Sequence, residues 1–190
     1  MEVKALAQTP EMQVRAVDPD AALVAAARSE PREFLALYDR YFERVLGYAR
    51  LRIRDSATCE DVTSQVFTTA LAQLGRFRGD GSFAAWLFQI ARNAVHDVQR
   101  RRPTERLAEE RPAPDPTPEE RVLERERAAE LHALIRRLRP DEQHLLALRY
   151  GAGLGFGEIG AILDSAPATV RVRMHRILEQ LRRRYPHDDA

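Results

Sequence analysis

Residues 76–102 read RFRGDGSFAAWLFQIARNAVHDVQRRR, and the organisation of the chain follows from them. A glycine-containing loop, Arg76 to Gly81, runs into Ser82, whose hydroxyl suits a helix N-cap. Phe83, Trp86, Leu87, Ile90, Ala91, Ala94, Val95 and Val98 then recur at the spacing of one helical face. The opposite face gathers Gln89, Arg92, Asn93, His96 and Arg100, with Trp86 on the margin of the apolar stripe. One side of this helix packs, and the other is basic and hydrogen-bonding. A lone amphipathic helix of this kind is most simply a core helix with a solvated outer face, so its neighbours decide whether it does more.

The flanking sequence is helical on both sides. Upstream, Asp20 to Arg28 form a short alanine-rich helix, and Pro31 opens a longer one that packs through Phe34, Leu37, Tyr38, Tyr41, Val45, Leu46, Ala49 and Ile53. Asp55 and Ser56 cap a third helix, Ala57 to Leu74, with Cys59, Val62, Val66, Ala70 and Leu74 inside. Its outer strip of Glu60, Asp61, Ser64, Gln65 and Thr68 is polar and mildly acidic, as any solvated face is. Downstream, Arg100, Arg101 and Arg102 end the fourth helix, where cations also complement its dipole. Residues 103–118, PTERLAEERPAPDPTP, then hold five of the eleven prolines and no apolar period. This is a linker, which reaches about 50 Å if fully extended as polyproline.

Beyond it, Glu119 to Arg139 reads as a helix packing through Val122, Leu123, Leu131, Leu134, Ile135 and Leu138, followed by a short one over Asp141 to Tyr150. Gly155 to Gly160 matches the dinucleotide pattern GxGxxG, but no strand precedes it and no segment alternates with period two, so that reading is rejected. Gly155 is instead an N-cap and Gly160 a small residue at a close crossing. In Asp164-Ser-Ala-Pro167 the aspartate tolerates a left-handed turn and the proline starts a helix. The last helix, Pro167 to about Arg184, packs through Val170, Met174, Ile177, Leu178 and Leu181 and presents Arg171, Arg173, His175 and Arg176. A short helix, a tight turn and a longer basic helix make a helix-turn-helix, whose second helix enters the DNA major groove; an α-hairpin in an interaction protein has the same outline.

Composition bounds the alternatives. Net charge is only +1, yet six arginines face a single Glu179 between Pro167 and Tyr185, and a local patch matters more to a polyanion than the sum does. Cys59 is the only cysteine and the five histidines lack paired ligand spacing, which leaves no disulfide and no metal site to expect. No stretch approaches a membrane span or a signal peptide. The expectation is a cytoplasmic chain without cofactor, monomeric when free, with residues 1–18 as a loose leader.

Four segments in order, Phe34 to Tyr41 (FLALYDRY), Asp61 to Phe67 (DVTSQVF), Phe77 to Asn93 (FRGDGSFAAWLFQIARN) and Leu154 to Arg176 (LGFGEIGAILDSAPATVRVRMHR), resemble the extracytoplasmic-function branch of the bacterial sigma-70 family. The resemblance covers roughly Asp20 to Tyr185. It implies an all-α protein of two small helical domains joined by the Pro-rich linker: residues 19–102 reading the minus-ten element, and residues 119–186, with the helix-turn-helix, reading the minus-thirty-five element. It implies core RNA polymerase and promoter DNA as partners, with an anti-sigma factor as an expected inhibitor.

By the same resemblance, Asp61, Ser64 and Gln65 dock on the polymerase clamp. The commoner family pattern has glutamine then glutamate where Ser64 and Gln65 stand, so this dock is one charge poorer. Phe77 and Asn93 are implied as the pocket for a base flipped from the non-template strand, and Trp86 as either a wedge or a core anchor. Arg92, Arg100, Arg101 and Arg102 fall to phosphates. In the second domain Arg171, Val172, His175 and Arg176 face base edges, and Arg149 and Arg173 face phosphates. A stand-alone helix-turn-helix regulator that needs no polymerase is the rival from another class. An enzyme is the weakest reading, since no nucleophile-base set, metal spacing or phosphate loop is present.

Overall fold

The computed structural model describes residues 18–79, 81–101 and 130–184, all helices and connecting turns. The expected leader, apart from Asp18, and the expected linker at 103–118 lie outside these residues. The elements are α1 (Ala21–Ser29), a 3₁₀ turn (Pro31–Glu33), α2 (Phe34–Arg52), α3 (Ser56–Gln73), α4 (Phe83–Arg101), α5 (helical over 130–136), α6 (Pro140–Leu146) with a π-helical continuation (Ala147–Gly151), α7 (Phe156–Leu163) and α8 (Pro167–Arg184).

Each start has a local cause. The Asp55 carboxylate accepts the Thr58 N–H at 2.9 Å and caps α3, and the Ser82 hydroxyl accepts from the Ala85 N–H at 3.1 Å and caps α4. Glu158 reaches back to the Gly155 N–H at 2.8 Å and closes the first turn of α7. α7 ends at Asp164, whose φ of 49° is the left-handed geometry expected of the turn.

The N-terminal lobe, α1 to α4, buries Leu37, Val45, Val66, Phe83, Leu87 and Val95. Asp20 ties it together: its buried carboxylate accepts from Arg40 and from the Tyr41 hydroxyl, joining the start of α1 to the middle of α2. Burial and this hydrogen bond push the Tyr41 hydroxyl well above its usual range. Cys59 is buried with its thiol against the Ile53 carbonyl, and desolvation raises that thiol to about 11. The C-terminal lobe closes over Ile135, Leu138, Leu145, Leu148, Ile159, Val170, Met174 and Ile177. Among the described residues of α5, Leu131, expected to pack, is exposed, whereas Ile135 one turn on is buried.

The two lobes share a packed seam. α2 lies along the π-helical segment so closely that a Cβ on Gly47 would stand 2.1 Å from the Gly151 carbonyl oxygen. Any larger residue forces the backbones apart. Above the glycines, Arg44 Nη1 donates to Glu158 Oε1 at 2.9 Å. Burial pushes the Glu158 carboxyl up, but the Gly155 N–H and Arg44 outweigh it and leave the group below the usual carboxylate range. Beneath them Tyr48 and His144, both buried, meet at 2.8 Å between the phenol oxygen and Nδ1. Arg52 donates to the same phenol oxygen at 3.3 Å. The phenol oxygen thus joins His144 and Arg52, one from each side of the seam.

Candidate nucleic-acid and partner interface

α3 and α4 present the candidate surfaces of the N-terminal lobe. On α3, Asp61, Ser64 and Gln65 are all exposed, with Gln65 Nε2 donating to Thr69 Oγ1 at 3.1 Å and Thr68 Oγ1 to the Ser64 carbonyl at 2.9 Å. Ser64 and Thr68 also border an apolar cleft of about 520 Å³ floored by Phe34, Tyr38, Phe42 and Phe67. A polar strip beside an aromatic groove is suited to a partner helix.

On α4, Asn93 is exposed and its side-chain oxygen accepts from Gln89 Nε2 at 3.1 Å, which orients the amide outward. Arg100 is exposed beside Asp97, 3.4 Å away, and Arg101 closes the helix. Arg92 sits differently. It is half-buried near the seam, where its charge acts on Tyr48, Arg52 and His144. Phe77 is 8% exposed, edge-on to Phe83, 5.3 Å from the Trp86 ring and beneath the Arg28 guanidinium. Trp86 is half-buried and packs on both phenylalanines. These rings form one aromatic bracket that fixes the loop to α4.

In the C-terminal lobe, Val170, Met174 and Ile177 anchor α8 and leave Arg171, Val172, His175 and Arg176 exposed, Val172 to 50%. His175 Nε2 lies 3.5 Å from Glu179. Arg173 points elsewhere: it donates to Asp141 at 3.1 Å and joins α8 to the start of α6. α7 meets the turn closely, since a Cβ on Gly160 would lie 2.6 Å from the Ser165 carbonyl oxygen, as expected of a small residue at a close crossing. Arg149 donates to the Leu154 carbonyl at 2.9 Å and lies over the Phe156 ring, as does Arg171.

Sequence periodicity missed Tyr48, Phe88, His144 and Phe156. Tyr48 and Phe88 are fully buried and edge-to-face with each other, and Tyr48 also meets the His144 ring.

Comparison with known proteins agrees with this anatomy. Residues 37–104 match the model for Sigma-70 region 2, and residues 128–181 that for Sigma-70, region 4. The ECF RNA polymerase sigma factor BldN of Streptomyces coelicolor is 35% identical over 86% of this chain, which spans 64% of that relative's length. The RNA polymerase sigma-H factor of Pseudomonas aeruginosa is 32% identical over 81% of this chain and 86% of its own. Among solved structures, CnrH in complex with the cytosolic domain of CnrY superposes with a TM-score of 0.64 at 25% identity, covering 86% of this chain and 95% of that one. With both regions in order on an all-helical frame, the chain belongs to the sigma-70 family, as an RNA polymerase sigma factor of the ECF type.

Proposed function

We propose that the chain binds core RNA polymerase, recognises a promoter at two separated elements and promotes opening of the duplex, with residues 19–102 and 119–186 as its two working units. The observation that carries this is the pair of outward surfaces on opposite lobes, Asn93 with Arg100 on α4 and Arg171 with Val172, His175 and Arg176 on α8. Arginine paired to guanine and an apolar side chain against a thymine methyl are the parts of major-groove reading. Asn93 supplies an amide for an unstacked base edge, and Arg100, Arg101 and Arg149 supply phosphate contacts that position without specifying. Phe77 and Trp86 support this site as the bracket that holds the loop in place. Arg173, engaged by Asp141, is the weakest of the assigned phosphate contacts, and Arg92 is half-buried near the seam.

The strip of Asp61, Ser64 and Gln65 with its neighbouring aromatic groove is the proposed dock on polymerase. CnrH is seen with the cytosolic domain of CnrY, and by that likeness we assign this chain an inhibitory protein partner of the same kind. Its place of action is the cytoplasm; among the described residues no helix is long and apolar enough to cross a membrane. The chain carries no assigned bond chemistry.

The test is reconstitution with core polymerase and run-off transcription. Asn93→Ala should impair opening, read as permanganate reactivity, more than closed-complex formation. Arg171→Ala should relax base preference at the upstream element. A chain that failed to associate with polymerase yet bound inverted repeats as a dimer would favour the stand-alone regulator.

A further inference from the structure

Arg149 and Arg171 come from different elements, the π-helical segment and the first turns of α8, yet both guanidinium carbons lie over one ring. They stand 4.8 Å and 5.4 Å from the centroid of Phe156, the first residue of α7. Phe156 is half-buried and packed on the lobe's core, so the ring itself is held. Arg149 is fastened a second time through the Leu154 carbonyl. Among the described residues Arg171 makes no hydrogen bond or ion pair, which leaves the ring to orient it.

Two like charges gathered at one ring repel each other. The negative ring face offsets part of that repulsion, and a polyanion approaching the same point relieves the rest. An exposed arginine otherwise loses rotamer freedom when it engages a base. A ring that already holds it removes some of that loss beforehand.

We propose that Phe156 is a positioning residue for upstream-element recognition: it holds Arg171 in its reading conformation before DNA arrives and couples it to the phosphate contact of Arg149. This rests on the assignment of Arg171 as a base contact.

The variant Phe156→Leu keeps an apolar side chain of similar size for the core but has no π-face, whereas Phe156→Tyr keeps the ring. In the full chain without DNA, the Arg149 and Arg171 Nε–H resonances should lose their ring-current shift in the Leu variant and keep it in the Tyr variant. In the holoenzyme, promoter affinity should fall about two- to fivefold for Leu, the scale of an exposed cation–π contact, and return with Tyr. In an Arg171→Ala background the Leu substitution should cost clearly less. Unmoved arginine resonances in Phe156→Leu, an undiminished loss in the Arg171→Ala background, or no rescue by Tyr would overturn the proposal. An Arg171→Ala holoenzyme with wild-type base preference would overturn the assignment beneath it. That failure is distinguishable, because the resonance shift in Phe156→Leu would still be seen.

Discussion

His144 shows how a single side chain acquires its role from a partner 96 residues away. In the sequence it is one of five scattered histidines, and neither spacing nor charge separates it from His96 or His175, which are exposed. In the fold it is buried against Tyr48, and desolvation, followed by the charges of Arg92 and Arg52, lowers its pKa to about 3. The facing groups are thus Tyr48 and Arg52 from α2 and Arg92 from α4, two of them cations. The pKa lies below the unfolded value, so the contribution is full above about pH 6.5 and is lost as pH falls from there toward 3. Between pH 7 and 5.5 the wild type should lose about 1 kcal/mol that His144→Gln does not, by the linkage of one proton at roughly 1.4 kcal/mol per pH unit. Urea midpoints of the two proteins across that window are the measurement, and parallel pH profiles would refute the assignment.

At the scale of the helix, most of the architecture was legible. The apolar periods located α2, α3 and α4, and the buried faces of α2 and α3 hold the expected residues almost without exception, Tyr38 standing half-open at the aromatic groove. Asp55, Ser82, Gly155 and Asp164 were legible because caps and turns are short-range chemistry, decided by two to four neighbouring residues. α4 was less completely legible: Phe88 widens the apolar stripe beside Ala91 and Val95, and the ring it meets, Tyr48, is on a different helix. For the helix-turn-helix, the close approach at Gly160 sets the angle at which α8 presents Arg171. The atom a new Cβ would meet most closely is backbone, the Ser165 oxygen at 2.6 Å, with the Pro167 nitrogen and ring Cδ behind it at 3.5 and 3.6 Å, so no rotamer change can make room. Gly160→Ala should therefore destabilise the C-terminal lobe by about 1–3 kcal/mol, the usual cost of overpacking. It should also weaken upstream-element binding in the holoenzyme. Thermal melting and promoter titration read the two effects, and a neutral Gly160→Ala would mean that the turn tolerates movement.

For the molecule as a whole, the seam between the lobes is the feature that periodicity could not reveal, because a period identifies a face and not what covers it. In the sequence Gly47 lies inside the apolar period of α2, and Gly151 is one of five glycines between positions 151 and 160, with nothing local to pair them. Their contact lets α2 and the π-helical segment touch backbone to backbone, with the Arg44–Glu158 and Tyr48–His144 pairs on either side. On the proposed function the two lobes occupy two separated promoter elements. On that proposal the closed seam, which holds the lobes in direct contact, is not the arrangement that occupies both elements. Gly47→Ala places a Cβ 2.1 Å from a backbone oxygen, which forces the seam apart. The free variant should scatter X-rays as a larger particle than wild type with its helix content unchanged, and Gly151→Ala should do the same from the other side. On the same proposal, run-off transcription by the reconstituted holoenzyme should survive both substitutions, since it requires the lobes to part. A loss of transcription in step with the loss of compactness would show instead that the closed seam belongs to the working form.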